Sequence, residues 1–455
     1  MTVRRRRARM TIGLLLFTLV LGASAGALAA RHTFDDAVVA FEQGDYPAAI
    51  KTLEGLLRRK EEPRGRTLLG WSLYRMGDPG RARAEFERAL ALGPRDANAG
   101  YAHEGLGWIA YREGDYDRAQ TAFTEALRLS PGYHNALDGL GWTFLARRDF
   151  VRAQAHFEAA LARVPDDADA RRGLGFVAYR RGDWSAAVRI FRDVLKANEG
   201  DTLTRSALAW THYYAREYGE ARRIFDDVER REPTWADPFA GRGWIAERQG
   251  RGDEAKAQFR IAIARAASYV AIPEMRTLLS GRPQWKDLWH ELAWSLYHQR
   301  AFAQAESEFH ALLDRNRADA DGLRGLGYTL YALKRYREAI PVLQQSLATG
   351  TVLPPVRERV EVPGATGLHA VITDTASTLA WSHYHAGELQ AALKLFREVA
   401  ARQADWHDAW SGLGWTLLKL GERGEAEAAF RRSLQTRPGY PDATQGLIAL
   451  GKRPS

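Results

Sequence analysis

The stretch LGWIAYREGDYDRAQTAFTEALRLSP, residues Leu106–Pro131, contains the pattern that decides the fold. Its first half places Trp108 ahead of a Gly114-Asp115 turn, and its second half places alanine and phenylalanine at helical spacing ahead of a closing proline. Glycine permits the left-handed backbone conformation that ends a helix, and proline cannot continue one. The stretch therefore predicts two short helices joined by a tight turn.

The aromatic residue of this stretch recurs along the chain at a nearly constant spacing. Successive members are 37, 34, 34, 34, 34, 50, 34, 53 and 34 residues apart. A period of 34 is typical of helical-hairpin solenoids, in which neighbouring units must stack to bury a core. We call this set the aromatic ladder, and it consists of Trp71, Trp108, Trp142, Phe176, Trp210, Trp244, Trp294, Tyr328, Trp381 and Trp415.

Two further columns keep the same spacing. An alanine stands eleven positions after every ladder residue, as at Ala119, and a phenylalanine stands fifteen positions after nearly every one, as at Phe123. Helices packed at about 8–10 Å need a small residue at their closest contact. We therefore expect the alanines between the helices of a unit and the phenylalanines between successive units. A weaker unit from Val38 to Leu53 keeps the same offsets, which makes eleven units.

These columns resemble the tetratricopeptide repeat family, and the resemblance extends from about Thr33 to the C-terminus. It implies an all-α fold, a right-handed superhelical solenoid of about eleven antiparallel helix-turn-helix units, with the first helices lining a concave groove. Residues 31–455 would form this solenoid as one continuous body, and a helix near 442–450 would cap its open end.

Two inserts interrupt the spacing, near 266–284 and 350–368. We expect the first to lengthen a helix that ends near Pro273, and the second to form a small hairpin or an ordered loop. Insertions in a solenoid go to one rim. The inserts are therefore either partner-specific contacts or neutral growth of loops.

The ladder occupies the position in each unit that, in the family, generally faces the groove. Tyrosines three residues later share its helical face. Two interpretations of these rings are open: they pack against neighbouring first helices and are mostly buried, or they present their faces to a ligand. The predicted groove consists of the ladder together with Tyr74, Tyr111, Tyr179, Tyr213, Tyr297, Tyr331 and Tyr384.

A mainly acidic row stands seven positions before the ladder. An aspartate at the start of a helix caps free N–H groups and interacts favourably with the helix dipole, which explains the row without any ligand. The alternative is that the six aspartates are acceptors at the rim of the groove. The row consists of Asn135, Asp169, Asp237, Asp287, Asp321, Asp374 and Asp408.

The N-terminus has the composition of an export signal. Five arginines at positions 4–7 and 9 precede an uncharged run from Thr11 to Ala30, which ends in small residues. Residues 1–30 are predicted to be a signal peptide cleaved after Ala29 or Ala30, and the protein to be exported to the bacterial periplasm or cell envelope. The alternative is an uncleaved inner-membrane anchor, with residues 11–30 as the only membrane contact and the rest facing the periplasm.

Several classes of function are not supported by the sequence. Without residues 1–29 the chain has 60 basic and 56 acidic residues, which is too even a balance for a nucleic-acid partner. There is no cysteine, so disulfides and thiolate metal sites are excluded. The histidines do not form a metal-binding pattern, and no catalytic or nucleotide-binding motif is present. We therefore predict that the protein is not an enzyme and uses no cofactor or metal.

The sequence instead predicts an exported scaffold whose groove holds a segment of an envelope protein. Some proteins that this chain resembles serve exopolysaccharide synthesis or export, and the resemblance suggests that setting. One alternative is a polysaccharide-binding module in which the Trp/Tyr ladder itself carries the polymer. Another is a purely structural spacer with a packed ladder.

Overall fold

The structure is a computed structural model, and it describes residues 25–95, 98–270, 272–349, 356–361 and 368–453. Most of the predicted signal segment, 1–30, lies outside these residues, as does much of the second insert. Within the described residues, no helix is both long and apolar enough to cross a membrane.

The chain divides into two compact units, one ending at Glu232 and one beginning at Pro233. The helices of the first unit are α1 (Ala25–Glu42), α2 (Tyr46–Leu57), α3 (Pro63–Met76), α4 (Pro79–Leu92), α5 (Ala99–Glu113), α6 (Tyr116–Leu129), α7 (His134–Ala146), α8 (Phe150–Arg163), α9 (Ala168–Arg181), α10 (Trp184–Ala197), α11 (Thr202–Tyr214) and α12 (Tyr218–Arg231).

The second unit contains the remaining helices and a two-stranded hairpin. Its elements are α13 (Asp237–Arg248), α14 (Gly252–Val270), α15 (Pro273–Ser280), a 3₁₀ turn (Pro283–Trp285), α16 (Lys286–His298), α17 (Phe302–Arg315), α18 (Ala320–Ala332), α19 (Tyr336–Ala348), β1 (Val356–Glu361), β2 (Leu368–Thr373), α20 (Thr375–Ala386), α21 (Leu389–Arg402), α22 (His407–Leu420), α23 (Arg423–Thr436) and α24 (Pro441–Ala449).

The all-α fold of repeated helix pairs is confirmed. Among the described residues the pairs number eleven, six in the first unit and five in the second, and α24 follows the last pair. In the ten pairs that carry a ladder residue, the residue six positions after it has a positive φ. Glycine stands there in six of these pairs, and Arg148, Arg216, Arg300 and Lys334 stand there in the others, with φ of 60–63°. A left-handed residue at this position ends the first helix and reverses the chain.

The phenylalanine column forms the centre of the core. Phe123 is fully buried and lies against two glycines, Gly107 of its own pair and Gly139 of the next. A Cβ atom at Gly107 would lie 2.7 Å from this ring, and one at Gly139 would lie 2.3 Å from it. The predicted alanine column, which includes Ala119, is also fully buried. Small residues on both sides therefore allow successive helices to approach the ring closely.

The two inserts have different structures. In the first, α14 continues to Val270 with a kink at Ala266, where φ is −154°, and α15 begins at Pro273. In the second, β1 and β2 pair in antiparallel fashion, with Val356 opposite Thr373. Of the two forms expected for the second insert, the structure therefore shows the hairpin.

Candidate functional site

The ladder residues lie on the first helix of each pair and are fixed by the core. In nine pairs the ladder ring packs edge-to-face on the phenylalanine of the same pair, with ring centroids 5.1–5.5 Å apart. These nine rings are half-buried. The structure thus lies between the two interpretations of the sequence, because each ring is held by the core while part of its surface remains accessible.

Four predicted groove residues are buried and so offer little surface to a partner. They are Tyr213, Tyr297, Tyr328 and Tyr384. Tyr328 is only 1% exposed, because it packs against Trp294 of the preceding pair, with centroids 6.0 Å apart. The other tyrosines of the predicted groove, Tyr74, Tyr111, Tyr179 and Tyr331, are half-buried.

The capping role expected for the acidic row is wrong in its choice of residues. At the first helices of the pairs, the carboxylates that accept hydrogen bonds from first-turn N–H groups belong to Asp167, Asp201 and Asp319. Asp169 and Asp321 stand two residues after such caps, inside the first turn of α9 and α18. Asp374 does precede α20, but its side chain makes no capping hydrogen bond.

Two aspartates of the row instead accept a hydrogen bond from the ladder of the preceding pair. The indole N–H of Trp294 donates to Asp321 at 3.0 Å, and that of Trp381 donates to Asp408 at 3.0 Å. Asp408 also accepts hydrogen bonds from Ser377 at 2.7 Å and from Tyr440 at 3.2 Å. The carboxylate therefore holds the indole in one orientation.

Three other aspartates of the row are also engaged with neighbouring side chains. Their partners are Arg172 for Asp169, Tyr269 for Asp237, and both Lys256 and Arg260 for Asp287. The row therefore contributes mainly to contacts between helices, and it leaves few free acceptors for a ligand at the rim.

A polar column one helical turn before the ladder was missed by sequence reasoning. It has the same period as the ladder, but its members differ in chemical type from pair to pair, so no single residue type marks it in the sequence. Most of its members are buried. The column consists of Thr67, Glu104, Asp138, Arg172, Ser206, His290, Arg324, Ser377 and Ser411.

In the first unit this column contains two buried acids. Glu104 accepts a hydrogen bond from Tyr133, yet burial raises its pKa to about 7. Burial and the neighbouring charge of Asp167 raise the pKa of Asp138 to about 9. Among the described residues, Oδ1 of Asp138 has no hydrogen-bond partner. At neutral pH this carboxyl group is therefore protonated.

In the second unit the same column contains groups that donate to acids. Ser411 donates to Asp442 at 2.5 Å, as Ser377 does to Asp408. His290 bonds Asp319 at 2.9 Å, and this bond raises the pKa of His290 although burial alone would lower it. The hydrogen bond from His290 also lowers the pKa of Asp319 to about 2, against the effect of burial.

The half-buried ladder rings on the first helices provide a surface that can contact another molecule. Within the described residues, no group of three His, Cys, Asp or Glu side chains could hold a metal ion. What the first helices present is a row of oriented, half-accessible aromatic rings. Such rings provide apolar contact area with little conformational freedom left to lose.

Comparison with known proteins assigns the chain to a family. The sequence profile of the tetratricopeptide repeat matches residues 67–134, 139–202, 206–271, 290–351 and 377–441, which is more than half of the chain. The chain belongs to the tetratricopeptide repeat family. Proteins of this family are protein-interaction scaffolds and are generally not catalytic. No curated protein matches this tetratricopeptide repeat protein.

Solved structures include several similar tetratricopeptide repeat proteins. One from Parabacteroides merdae is 18% identical, with a TM-score of 0.43, over 52% of this chain and 94% of its own. PilW, a type IV pilus biogenesis factor, is 24% identical, with a TM-score of 0.42, over 48% of this chain and 98% of its own. PilF of Pseudomonas aeruginosa is 20% identical, with a TM-score of 0.38, over 44% of this chain and 90% of its own. The family assignment itself rests on the sequence profile.

Proposed function

We propose that this protein is an exported, non-catalytic scaffold that binds a segment of a protein partner on the ladder face of its first helices. The observation that carries the proposal is the half-burial of nine ladder rings, each fixed edge-to-face on a core phenylalanine. A monomer rarely exposes a large apolar patch without a partner to cover it. The basic and apolar composition of residues 1–30 supports export to the periplasm or envelope.

The chemistry of the ladder favours a protein segment over a sugar polymer. Aromatic side chains with few accessible rotamers are the residues that dominate protein-binding energy. The carboxylates beside them are mostly occupied, as Asp321 is by Trp294 and Asp408 by Trp381. A sugar chain would need such acceptors for its hydroxyl groups, whereas an apolar peptide face would not. Envelope assembly, with exopolysaccharide synthesis or export as its setting, is the context that we propose.

Site-specific photo-crosslinking in living cells tests the proposal. The probe, benzoylphenylalanine, replaces Tyr214, which is 49% exposed at the end of α11 and lies 6.4 Å from the ring of Trp210. The matched control places the probe at Val151, which is 73% exposed on the second helix α8. We expect one envelope protein to be captured from position 214 and lost on adding Trp210→Leu. Capture of no protein from position 214, or of the same proteins from both positions, would contradict the proposal.

A polysaccharide ligand is the second candidate, and one contact favours it. Tyr214 stacks on Trp184 with centroids 5.5 Å apart and an interplanar angle of 17°, which gives a flat and partly exposed aromatic platform. Such a platform suits a pyranose ring. We would replace Trp142, Trp210 and Trp244 by leucine in one variant and Trp184 and Tyr214 by leucine in another, and measure polysaccharide retention. Unchanged retention in the folded variants would exclude this candidate.

A further inference from the structure

A cleft of about 390 Å³ in the first unit is lined by arginines and contains no ladder residue. The arginines come from three helices: Arg192 from α10, Arg205 from α11, and Arg223, Arg230 and Arg231 from α12. Convergence of this many guanidinium groups is unfavourable unless anions compensate their charge. The cleft is therefore a candidate for a site that the ladder does not explain.

Three of these guanidinium groups share one carboxylate. Asp227 lies 3.2 Å from Arg205, 3.0 Å from Arg230 and 3.0 Å from Arg231. Burial alone would raise the pKa of Asp227, but the hydrogen bonds from Arg231 and Arg230 lower it. Asp227 is thus an anion at neutral pH, and it supplies one negative charge to three positive ones.

The most enclosed of the three groups has unused hydrogen-bonding capacity. The side chain of Arg205 is only 15% exposed. Among the described residues, its Nε–H is buried and has no hydrogen-bond partner. A guanidinium group is a rigid fork of donors that matches the oxygen atoms of a carboxylate or phosphate.

The charge of the cleft indicates which anion fits. The lining has five arginines and two carboxylates, Asp227 and Glu199, which leaves an excess of three positive charges. Glu220 lies outside the lining and pairs with Arg223 at 2.9 Å, which reduces the excess to two. A phosphate monoester carries about −1.5 to −2 charges at pH 7, whereas a single carboxylate carries one.

We propose that the arginine cleft binds the phosphate group of an anionic ligand, with Arg205 as the enclosed donor and the exposed Arg192, Arg230 and Arg231 at the open side. The site is independent of the function proposed for the ladder. Charge-assisted hydrogen bonds from several guanidinium groups would provide both affinity and selectivity for a phosphate over a lone carboxylate.

Titration calorimetry of the full chain tests this site, with inorganic phosphate and glycerol 3-phosphate as probes and acetate as the carboxylate control, all at constant ionic strength. We expect saturable binding of the phosphates and about a tenfold loss of affinity in Arg205→Gln. Arg397→Gln is the matched control. Arg397 is an exposed arginine of α21 that pairs with Glu425 of α23 at 3.1 Å, and neither residue lines the cleft. This variant should bind phosphate like the unmodified protein.

The outcomes separate the possible ligands. Tighter binding of glycerol 3-phosphate indicates a monoester, equal binding indicates free phosphate, and both support the site. Acetate binding as tightly as phosphate would overturn it, as would the absence of saturable phosphate binding or equal losses in the Arg205 and Arg397 variants. If circular dichroism shows that Arg205→Gln is unfolded, phosphate binding is measured with Arg230→Gln instead. Arg230 is well exposed, and its replacement should weaken phosphate binding while Arg397→Gln does not.

Discussion

The two compact units share one stacking scheme but differ in the polar column beside the ladder. In both, phenylalanines packed against glycine or alanine set the approach of successive helices. In the first unit the column contains the buried acids Glu104 and Asp138, whose pKa values are raised. In the second it contains Ser377 and Ser411, which donate to Asp408 and Asp442. The small-residue columns therefore determine the fold, while the polar column can vary and changes how each unit responds to pH.

The largest effect is expected at the carboxylate that holds the ladder in the second unit. Asp408→Ala removes the acceptor of Trp381, Ser377 and Tyr440, and should lower the free energy of unfolding by about 3 kcal/mol. The equivalent residue of the first unit, Asp169, has Arg172 as its partner and a pKa raised by burial. Asp169→Ala should therefore cost less than about 1 kcal/mol. Urea unfolding measures the free energy of unfolding of both variants. Equal losses of stability would show that the two units do not differ in how this aspartate supports the ladder.

The next effect should be the same in both units, because it concerns the shared scheme. A Cβ atom at Gly139 would lie 2.3 Å from the ring of Phe123, and one at Gly412 would lie 2.3 Å from the ring of Phe396. Gly139→Ala and Gly412→Ala should each lower the free energy of unfolding by about 2 kcal/mol, since overpacking outweighs the better helix propensity of alanine. Gly219→Ala is the control, because no atom lies within 4 Å of its Cβ position. A neutral result at Gly139 would show that the ring can move aside.

The third prediction concerns pH. The folded pKa of Asp138, about 9, lies above its unfolded value of about 4, so the folded state keeps a proton that the unfolded state has lost. The stability contributed by this group therefore falls as pH rises from about 4 to about 9. Asp138→Asn should raise the free energy of unfolding near pH 8 by at least about 1 kcal/mol. Unfolding curves at several pH values measure this change.

Ser377→Ala is the matched control for the pH prediction, since Ser377 occupies the same column in the second unit. It should lower the free energy of unfolding by about 1 kcal/mol through the lost hydrogen bond to Asp408, at all pH values near neutrality. If Asp138→Asn left the pH dependence unchanged, the buried acid would not be the source of the difference.

The smallest effect is expected at the turns. Arg148 and Arg300 adopt φ of 62° and 60° where other pairs have glycine. This backbone region costs a non-glycine residue about 1 kcal/mol, part of which the greater freedom of glycine in the unfolded chain offsets. Arg148→Gly and Arg300→Gly should each raise the free energy of unfolding by about 0.5 kcal/mol. Gly114→Ala, at φ of 79°, should lower it, and a gain there would contradict the argument.

The repeat units could be predicted because one spacing places the ladder, alanine and phenylalanine columns in register. Stacking requires this regularity in every unit, so it is visible in the sequence. The left-handed conformation at Arg148 could be inferred only from its alignment with glycines such as Gly114, since arginine itself gives no such signal. The division after Glu232 was not predicted, because the spacing from Trp210 to Trp244 is a regular 34 residues.

The contacts of the candidate site were harder to predict than its residues. The ladder follows from its period, but the hydrogen bond from Trp381 to Asp408 joins residues 27 positions apart on successive pairs. Such a partner depends on how the pairs stack. From the local sequence, the aspartates of the acidic row were expected to cap the first helices. The residue that caps α18 is instead Asp319, two positions before the row residue Asp321. The burial of Tyr328 likewise depends on Trp294 of the preceding pair.

Acrylamide quenching of tryptophan fluorescence tests most directly the claim that the ladder is an accessible, fixed binding surface. Eight of the fourteen tryptophans belong to the ladder, so the signal reports mainly on this surface. We predict intermediate quenching in the free protein, and protection when the partner segment captured from position 214 is added. Weak, blue-shifted emission that the segment does not change would contradict the account, because it would show that the rings belong entirely to the core.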